Sequence, residues 1–268
     1  MIVDIDGVRA HASTGGVAPA VDRDRDSPVV LLLHGSGMDS TVWQLQTRYL
    51  AHRCFRALAI DLPGHGRSAG PGLASVEEMA DWVAKFATAA GFETAHVVGH
   101  SMGSFIALEL ASRSGALTSS ITLCGTATSM PVHPDLLSAA DTDLPGAAAL
   151  MAAWGHDKTA HLGLNPTPGL WMLGGARALV ENSRPGVLAT DLRACLNYGN
   201  ATIAAAAVRC PATVLIGLGD KMTPPKSGRA LAAALASARV IELAGTGHMM
   251  MIENPRAVRR AILDTATA

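Results

Sequence analysis

The chain has 268 residues and a net charge of −1 at pH 7, with 49% hydrophobic and 16% charged residues. That composition excludes a long disordered segment, and the near-neutral charge without a basic block excludes an electrostatic footprint for nucleic acid or an anionic membrane. The length suits one α/β domain with a modest insertion better than two independent domains.

Met1 to Asp26 reads as an irregular hairpin, in which Val21-Asp22-Arg23-Asp24-Arg25-Asp26 is a solvated turn of balanced charge. Its opening, Met1-Ile2-Val3-Asp4-Ile5-Asp6-Gly7, lacks the positive start and apolar run of a secretory signal, and no later segment reads as a bilayer span. A cytoplasmic protein is expected. Val29-Val30-Leu31-Leu32-Leu33 is a continuous apolar strand of the kind buried inside a parallel sheet, and it ends at His34-Gly35-Ser36-Gly37. A second strand, Arg56 to Ile60, runs into Asp61-Leu62-Pro63-Gly64-His65-Gly66-Arg67-Ser68, where glycine and proline force tight turns. Ser75 to Ala90 predicts a helix: Ser75 can cap it, Glu78 stands at the reciprocal position, and Met79, Trp82, Val83 and Phe86 recur on one face.

Ala95-His96-Val97-Val98 leads directly into Gly99-His100-Ser101-Met102-Gly103. The G-x-S-x-G pattern sets a serine on a sharp strand-to-helix turn, with flanking glycines that keep side chains from colliding. The almost wholly apolar Ser104 to Ala111 fits a helix buried against the sheet, whose N-terminal dipole favours negative charge beside Ser101. Leu117 to Cys124 is a further strand. From about Met130 to Thr202 the pattern turns to proline, glycine and small residues around Trp154, Trp171, Met172 and Tyr198, which reads as a helical cap over the carboxyl edge of the sheet. The alternation then resumes with Ala212 to Ile216, a helix from Lys226 to Ser237, and Arg239 to Leu243. The expected organisation is core over 1–129, cap over 130–202 and core again over 203–268. Cys54, Cys124, Cys195 and Cys210 lack paired spacing and read as reduced thiols.

Functional loops of an open parallel sheet gather beyond the carboxyl ends of its strands. Ser101 stands at one such end, Asp220 follows another strand through Gly217-Leu218-Gly219, and His248 follows the last through Ala244-Gly245-Thr246-Gly247. The order Ser, Asp, His is that of a nucleophile, its orienting acid and its base in one fold family. Asp61, also at a strand end, is the reserve for the acid.

On these motifs the chain resembles the α/β-hydrolase superfamily over nearly its whole length apart from the cap. His34 to Gly37 is similar to the family's oxyanion loop, Asp61 to Ser68 to its D-x-P-G-x-G-x-S turn and Gly99 to Gly103 to its nucleophile elbow. Gly219-Asp220 with Thr223-Pro224 resembles the acid loop, and Gly247-His248 with Glu253-Asn254-Pro255 the histidine loop. The resemblance implies a mostly parallel sheet with helices on both faces and an inserted helical cap. It also implies a serine hydrolase that cleaves a small, apolar carboxylic ester, lactone or thioester through an acyl-Ser101 intermediate, with His248 as base and Asp220 orienting it. The backbone N–H groups of Ser36 and Met102 would receive the oxyanion, and no cofactor is implied.

Trp154, Trp171, Met172, Tyr198 and Met249 are candidates for the acyl pocket, with a packing role as the rival reading. His34, His65 and His100 are assigned structural roles within their loops. His156, Asp157 and His161 suggest a metal, but histidines five apart do not share a helix face, so no metal is expected. The few cationic residues of the cap, Lys158, Arg177, Arg184 and Arg193, do not cluster in sequence, which favours an uncharged substrate. Two alternatives stay open: a meta-cleavage-type hydrolase of carbon–carbon bonds, although Gly37-Met38-Asp39 and Met249 depart from that branch's pattern, and a slow-turnover ligand-binding receptor on the same fold. Oligomeric state is not legible.

Overall fold

The computed structural model describes residues 1–17, 27–164, 166–167 and 169–267, so the turn expected at residues 21–26 lies outside the described residues. Among these, eight strands form one sheet: β1 Ile2–Ile5, β2 Val8–Ser13, β3 Val29–Leu33, β4 Arg56–Asp61, β5 Ala95–His100, β6 Thr118–Cys124, β7 Ala212–Gly217 and β8 Ala238–Leu243. Their order is β1-β2-β4-β3-β5-β6-β7-β8, antiparallel where β2 meets β1 and β4 and parallel from β4 onward. The first two strands form a regular rather than an irregular hairpin. Asp6 and Gly7 both adopt positive φ, 55° and 81°, the conformation of a two-residue turn that matches strand twist.

The helices are α1 Gln44–Ala51, α2 Val76–Ala89, α3 Met102–Arg113, α4 Pro134–Thr142, α5 Leu144–Gly155, α6 Lys158–His161, α7 Met172–Glu181, α8 Val187–Asn197, α9 Ala201–Ala207, α10 Pro225–Ala234, α11 Met250–Glu253 and α12 Pro255–Ala266. Because successive strand residues point to opposite faces, β3 feeds two cores. Val29, Leu31 and Leu33 join Met79, Phe86 and Phe105 of α2 and α3 on one side. Val30 and Leu32 join Leu50 of α1 and Val258 and Ile262 of α12 on the other. The continuous apolar run read from the sequence is thus the sheet's two-faced centre.

Ser75 caps α2 as expected, its Oγ accepting from Glu78 N at 3.2 Å. Glu78 reaches back one residue further than the usual box, accepting from Ala74 N at 3.0 Å. The single carboxylate of α3, Glu109, is buried but paired. It accepts from Tyr198 Oη at 2.7 Å and from Arg113 Nε at 2.9 Å, which offsets the cost of removing a charge from water. Tyr198 therefore serves this joint between α8 and α3, not a pocket wall. Among the described residues no helix is long and apolar enough to cross a membrane.

The crossing of β5 and α3 is the tightest joint. A Cβ on Gly99 would overlap the Gly103 carbonyl, and one on Gly103 would overlap the Leu33 carbonyl and lie 2.7 Å from His34 O. Backbone cannot yield as a side chain can, so Gly103→Ala should cost about 3 kcal/mol or more, read as a lower urea midpoint. An unchanged midpoint would show that the close approach is not required.

Candidate active site

Ser101 sits between β5 and α3 with φ 53° and ψ −120°, a conformation that side chains rarely adopt. The turn is held from both sides. Ser101 N donates to Cys124 O at 2.9 Å, and the Ser101 carbonyl accepts from Ser104 N at 2.8 Å and Ser104 Oγ at 2.6 Å. Met102 opens α3, so its N–H has no acceptor within the helix and lies where the helix dipole is positive. Ser36 follows β3 in the adjacent loop, and among the described residues no acceptor occupies its N–H.

Asp220 and His248 meet after β7 and β8. His248 Nδ1 donates to Asp220 Oδ2 at 2.8 Å. The carboxylate is saturated: Oδ1 accepts from Met222 N and Thr223 N, both at 2.8 Å, and Oδ2 from Thr223 Oγ1 at 2.7 Å. Burial alone would push this carboxyl up, but the neighbouring His248 and the hydrogen bonds from His248 and Thr223 hold it below the usual carboxylate range. A proton fixed on Nδ1 leaves Nε2 as the basic nitrogen. Ser101 and His248 open onto the same cavity. Among the described residues no hydrogen bond joins Ser101 Oγ to His248. The reserve acid, Asp61, is occupied elsewhere, taking His11 Nδ1 at 2.8 Å, Ser40 N at 2.6 Å and Arg67 N at 2.9 Å to fold its own loop.

The neighbouring histidines are held in place. His34 Nδ1 donates to Gly35 O at 2.9 Å while Nε2 accepts from Leu62 N at 3.2 Å, and burial lowers its pKa to about 4. His100 Nε2 donates to His248 O at 3.0 Å, and burial together with the adjacent His248 keeps it neutral. His156 and Asp157 do separate work, the first donating from Nδ1 to Ala152 O and the second capping α6, and among the described residues no cluster is built to hold a metal ion.

The cavity measures about 590 Å³, and its walls are mostly apolar. Of the pocket candidates, half-buried Trp154 lines it; Trp171, Met172 and Met249 do not. Trp171 is 78% exposed and lies over Gly174, and Met172 faces a second, smaller hollow near Thr246 and Asn254. Met249 is buried against Gly155, its N–H donating to Gly155 O at 2.9 Å. Sequence reading missed the residues that do line the cavity: Met38, Met130, Leu136, Met151, Leu192 and Met222, with Lys221 as a cation at its edge. Among the cap's cations, Arg177 pairs with Glu181 and Arg193 with Asp141, while Arg184 donates to the carbonyls of Gly66 and Ser68.

A strained serine at a strand-to-helix elbow, facing the same cavity as a histidine held by an aspartate from the preceding parallel strand, defines an α/β-hydrolase architecture. The chain belongs to the alpha/beta hydrolase family, whose model matches residues 30–261. It is 30% identical over 276 aligned residues to the putative carbamate hydrolase RutD of Caulobacter sp. strain K31, covering 97% of this chain and 96% of that one. Stronger likeness is more local. Identities of 42% and 40% with two curated relatives span only 27% and 37% of their lengths; the second is a pimeloyl-(acyl-carrier protein) methyl ester esterase of Methylococcus capsulatus, matched over 37% of this chain. Among solved structures, the enol-lactonase of Burkholderia xenovorans LB400 superposes with a TM-score of 0.87 at 25% identity, each chain fully covered.

Glu253 ties the histidine loop to the end of α5, accepting from Gly247 N at 3.0 Å and Asp157 N at 2.8 Å. Burial pushes its pKa up to about 7, from an ordinary 4.5. The native state therefore holds a proton that the unfolded chain releases, and the stability this contributes is present below pH 4.5 and lost as pH rises through about 7. Glu253→Gln mimics the protonated acid. Its melting temperature relative to the parent should rise between about pH 5 and pH 8, and a difference independent of pH would count against the assignment.

Proposed function

We propose that the protein is a serine-dependent hydrolase of small carboxylic esters, working through an acyl-Ser101 intermediate. One observation carries this reading: Ser101, on its strained turn, opens onto the same apolar cavity as a His248 whose Nδ1–H is held by Asp220. The similarity to a methyl ester esterase, a putative carbamate hydrolase and an enol-lactonase supports the same chemistry.

In the first half of the reaction His248 Nε2 takes the proton of Ser101 Oγ as the oxygen attacks the carbonyl carbon. The N–H groups of Ser36 and Met102 receive the negative charge that develops on the carbonyl oxygen. Collapse breaks the bond to the alcohol, which leaves with the proton from His248. Water then attacks the acyl-serine, giving its proton to the same nitrogen, and the acid departs as Ser101 Oγ is reprotonated. Asp220 stabilises the imidazolium throughout without itself becoming protonated.

Residues 130–202 act as the cap that shapes the acyl site, and 1–129 with 203–268 as the catalytic core. The largely apolar lining supports an apolar acyl chain. The four free cysteines suit a reducing, cytoplasmic setting.

With p-nitrophenyl esters, Ser101→Ala should abolish turnover, a loss of up to about a millionfold by analogy with a triad serine. Equal rates in parent and variant reject the nucleophile. Across a straight-chain series, kcat/KM should climb by up to about fourfold per methylene until the cavity is filled. Met151→Trp should end that climb at shorter chains while leaving the acetate rate within about twofold of the parent; an unaltered chain-length profile would move the acyl site elsewhere.

A further inference from the structure

Helix α8 presses a wholly buried carboxylate onto the loop that carries Ser36. Asp191 Oδ2 accepts from Gly37 N at 2.8 Å and from His65 Nε2 at 2.8 Å. His65 Nδ1 stands 3.0 Å from Pro63 O, so both ring nitrogens face acceptors and both donate, which requires the imidazolium form. Burial opposes that charge, but the attraction of Asp191 and the hydrogen bonds to Asp191 and Pro63 outweigh it and raise the pKa of His65. Two further contacts come from the same helix. Cys195 Sγ lies 3.6 Å from Ser36 Oγ, and Leu188 packs so tightly on Gly37 that a Cβ there would lie 2.7 Å from Leu188 Cδ1.

This arrangement is poorly explained by stability alone. Asp191 Oδ1 is buried with no partner among the described residues, a group that folding would rather have left in water. Buried ion pairs commonly gain little over apolar residues of the same volume. What the pair does secure is the position of one backbone segment: Gly37 N–H, immediately after Ser36, is fixed by a charge-assisted hydrogen bond from a rigid helix.

We propose that Asp191, with His65 as its counter-ion, is a positioning residue that holds the Ser36–Gly37 turn so that Ser36 N–H meets the oxyanion. The inference rests on the acyl-transfer reading above. It makes α8 a fixed wall of the oxyanion site, where displacement of a donor by a fraction of an ångström is felt in the transition state and hardly in substrate binding.

The test is steady-state kinetics of Asp191→Asn on one p-nitrophenyl ester, with inhibition by an alkyl boronic acid that forms a tetrahedral adduct on serine. The expected result is a fall in kcat of about tenfold to a hundredfold with KM within about twofold of the parent. Boronate affinity should fall in step with kcat. Unchanged kcat and boronate affinity in a folded variant overturn the proposal, as does a raised KM at parental kcat. If circular dichroism shows Asp191→Asn unfolded, His65→Gln carries the same test with the same two outcomes, since it removes the counter-ion that holds the Asp191 carboxylate in line with Gly37 N–H. Ser101→Ala separates the two readings. Parental turnover in that variant sinks acyl transfer through Ser101, whereas a dead Ser101→Ala beside a fully active Asp191→Asn sinks only the positioning role.

Discussion

The close approach of β5 and α3 is the constraint on which the site is built. Ser101 can hold φ 53° because its N–H is anchored to Cys124 O in the neighbouring strand and its carbonyl is gripped by Ser104. The cost of that backbone conformation, of order 1–3 kcal/mol, is offset by burial of the almost wholly apolar α3 on one face of the sheet. The glycines at 99 and 103 are the geometric condition, since any side chain there would meet backbone atoms of α3 or of the β3 end. Because α3 starts against the carbonyls of Leu33 and His34, its first N–H and the loop containing Ser36 are neighbours by construction. An elbow that opened even slightly would separate the serine from both.

Burial also sorts the imidazoles. His34 and His100 are wholly enclosed and neutral, and each donates to a backbone carbonyl that fixes a loop, Gly35 in one case and His248 in the other. His248 differs in having a carboxylate on Nδ1 and the cavity on its other side. The imidazoles at this end of the sheet thus differ in task because the partners of their ring nitrogens differ: Gly35 O and Leu62 N for His34, His248 O for His100, Asp191 and Pro63 O for His65, and Asp220 for His248. The buried carboxylates there, Asp61, Asp191 and Asp220, each lie against an imidazole: His11, His65 and His248.

The strands, their parallel order and the loops bearing Ser101, Asp220 and His248 were legible because each rests on local chemistry: apolar runs of strand length, glycines at forced turns, and polar residues at strand ends. The acyl pocket was not. Trp171, Met172 and Met249 have the residue types of a pocket wall, but type says nothing about facing, and the stretch from 130 to 202 lacks a period from which facing could be read. Trp171 turned to solvent and Met249 into the core. Signals for α12 were present and went unread: Asn254 as cap, Pro255 at the first position, and Val258, Ala261 and Ile262 on one face. Asp191 gave no such signal. An aspartate in a helix of mixed composition looks solvated until the fold brings Gly37 and His65, more than a hundred residues away, against it.

Two helices between β6 and β7, α5 and α8, are hydrogen-bonded to the loops that carry His248 and Ser36. Met151 and Trp154 line the cavity from α5, whose last residue, Gly155, accepts from Met249 N and stands two residues before Asp157, whose N–H is held by Glu253 of the histidine loop. Leu192 and Cys195 line it from α8, which grips the Ser36–Gly37 turn. These two walls of the proposed acyl site are therefore one or two bonds from a loop that the proposed chemistry uses. In the proposed reaction, contacts made by a bound acyl chain would push on α5 and α8, and through them on the loops of His248 and Ser36, so remote binding energy could be spent on alignment as well as on affinity. A pocket built this way tolerates changed side chains on its inner faces far better than changed backbone anchors at Gly155, Asp157 or Asp191, because the first alter which acyl chain fits and the second alter whether any is cleaved.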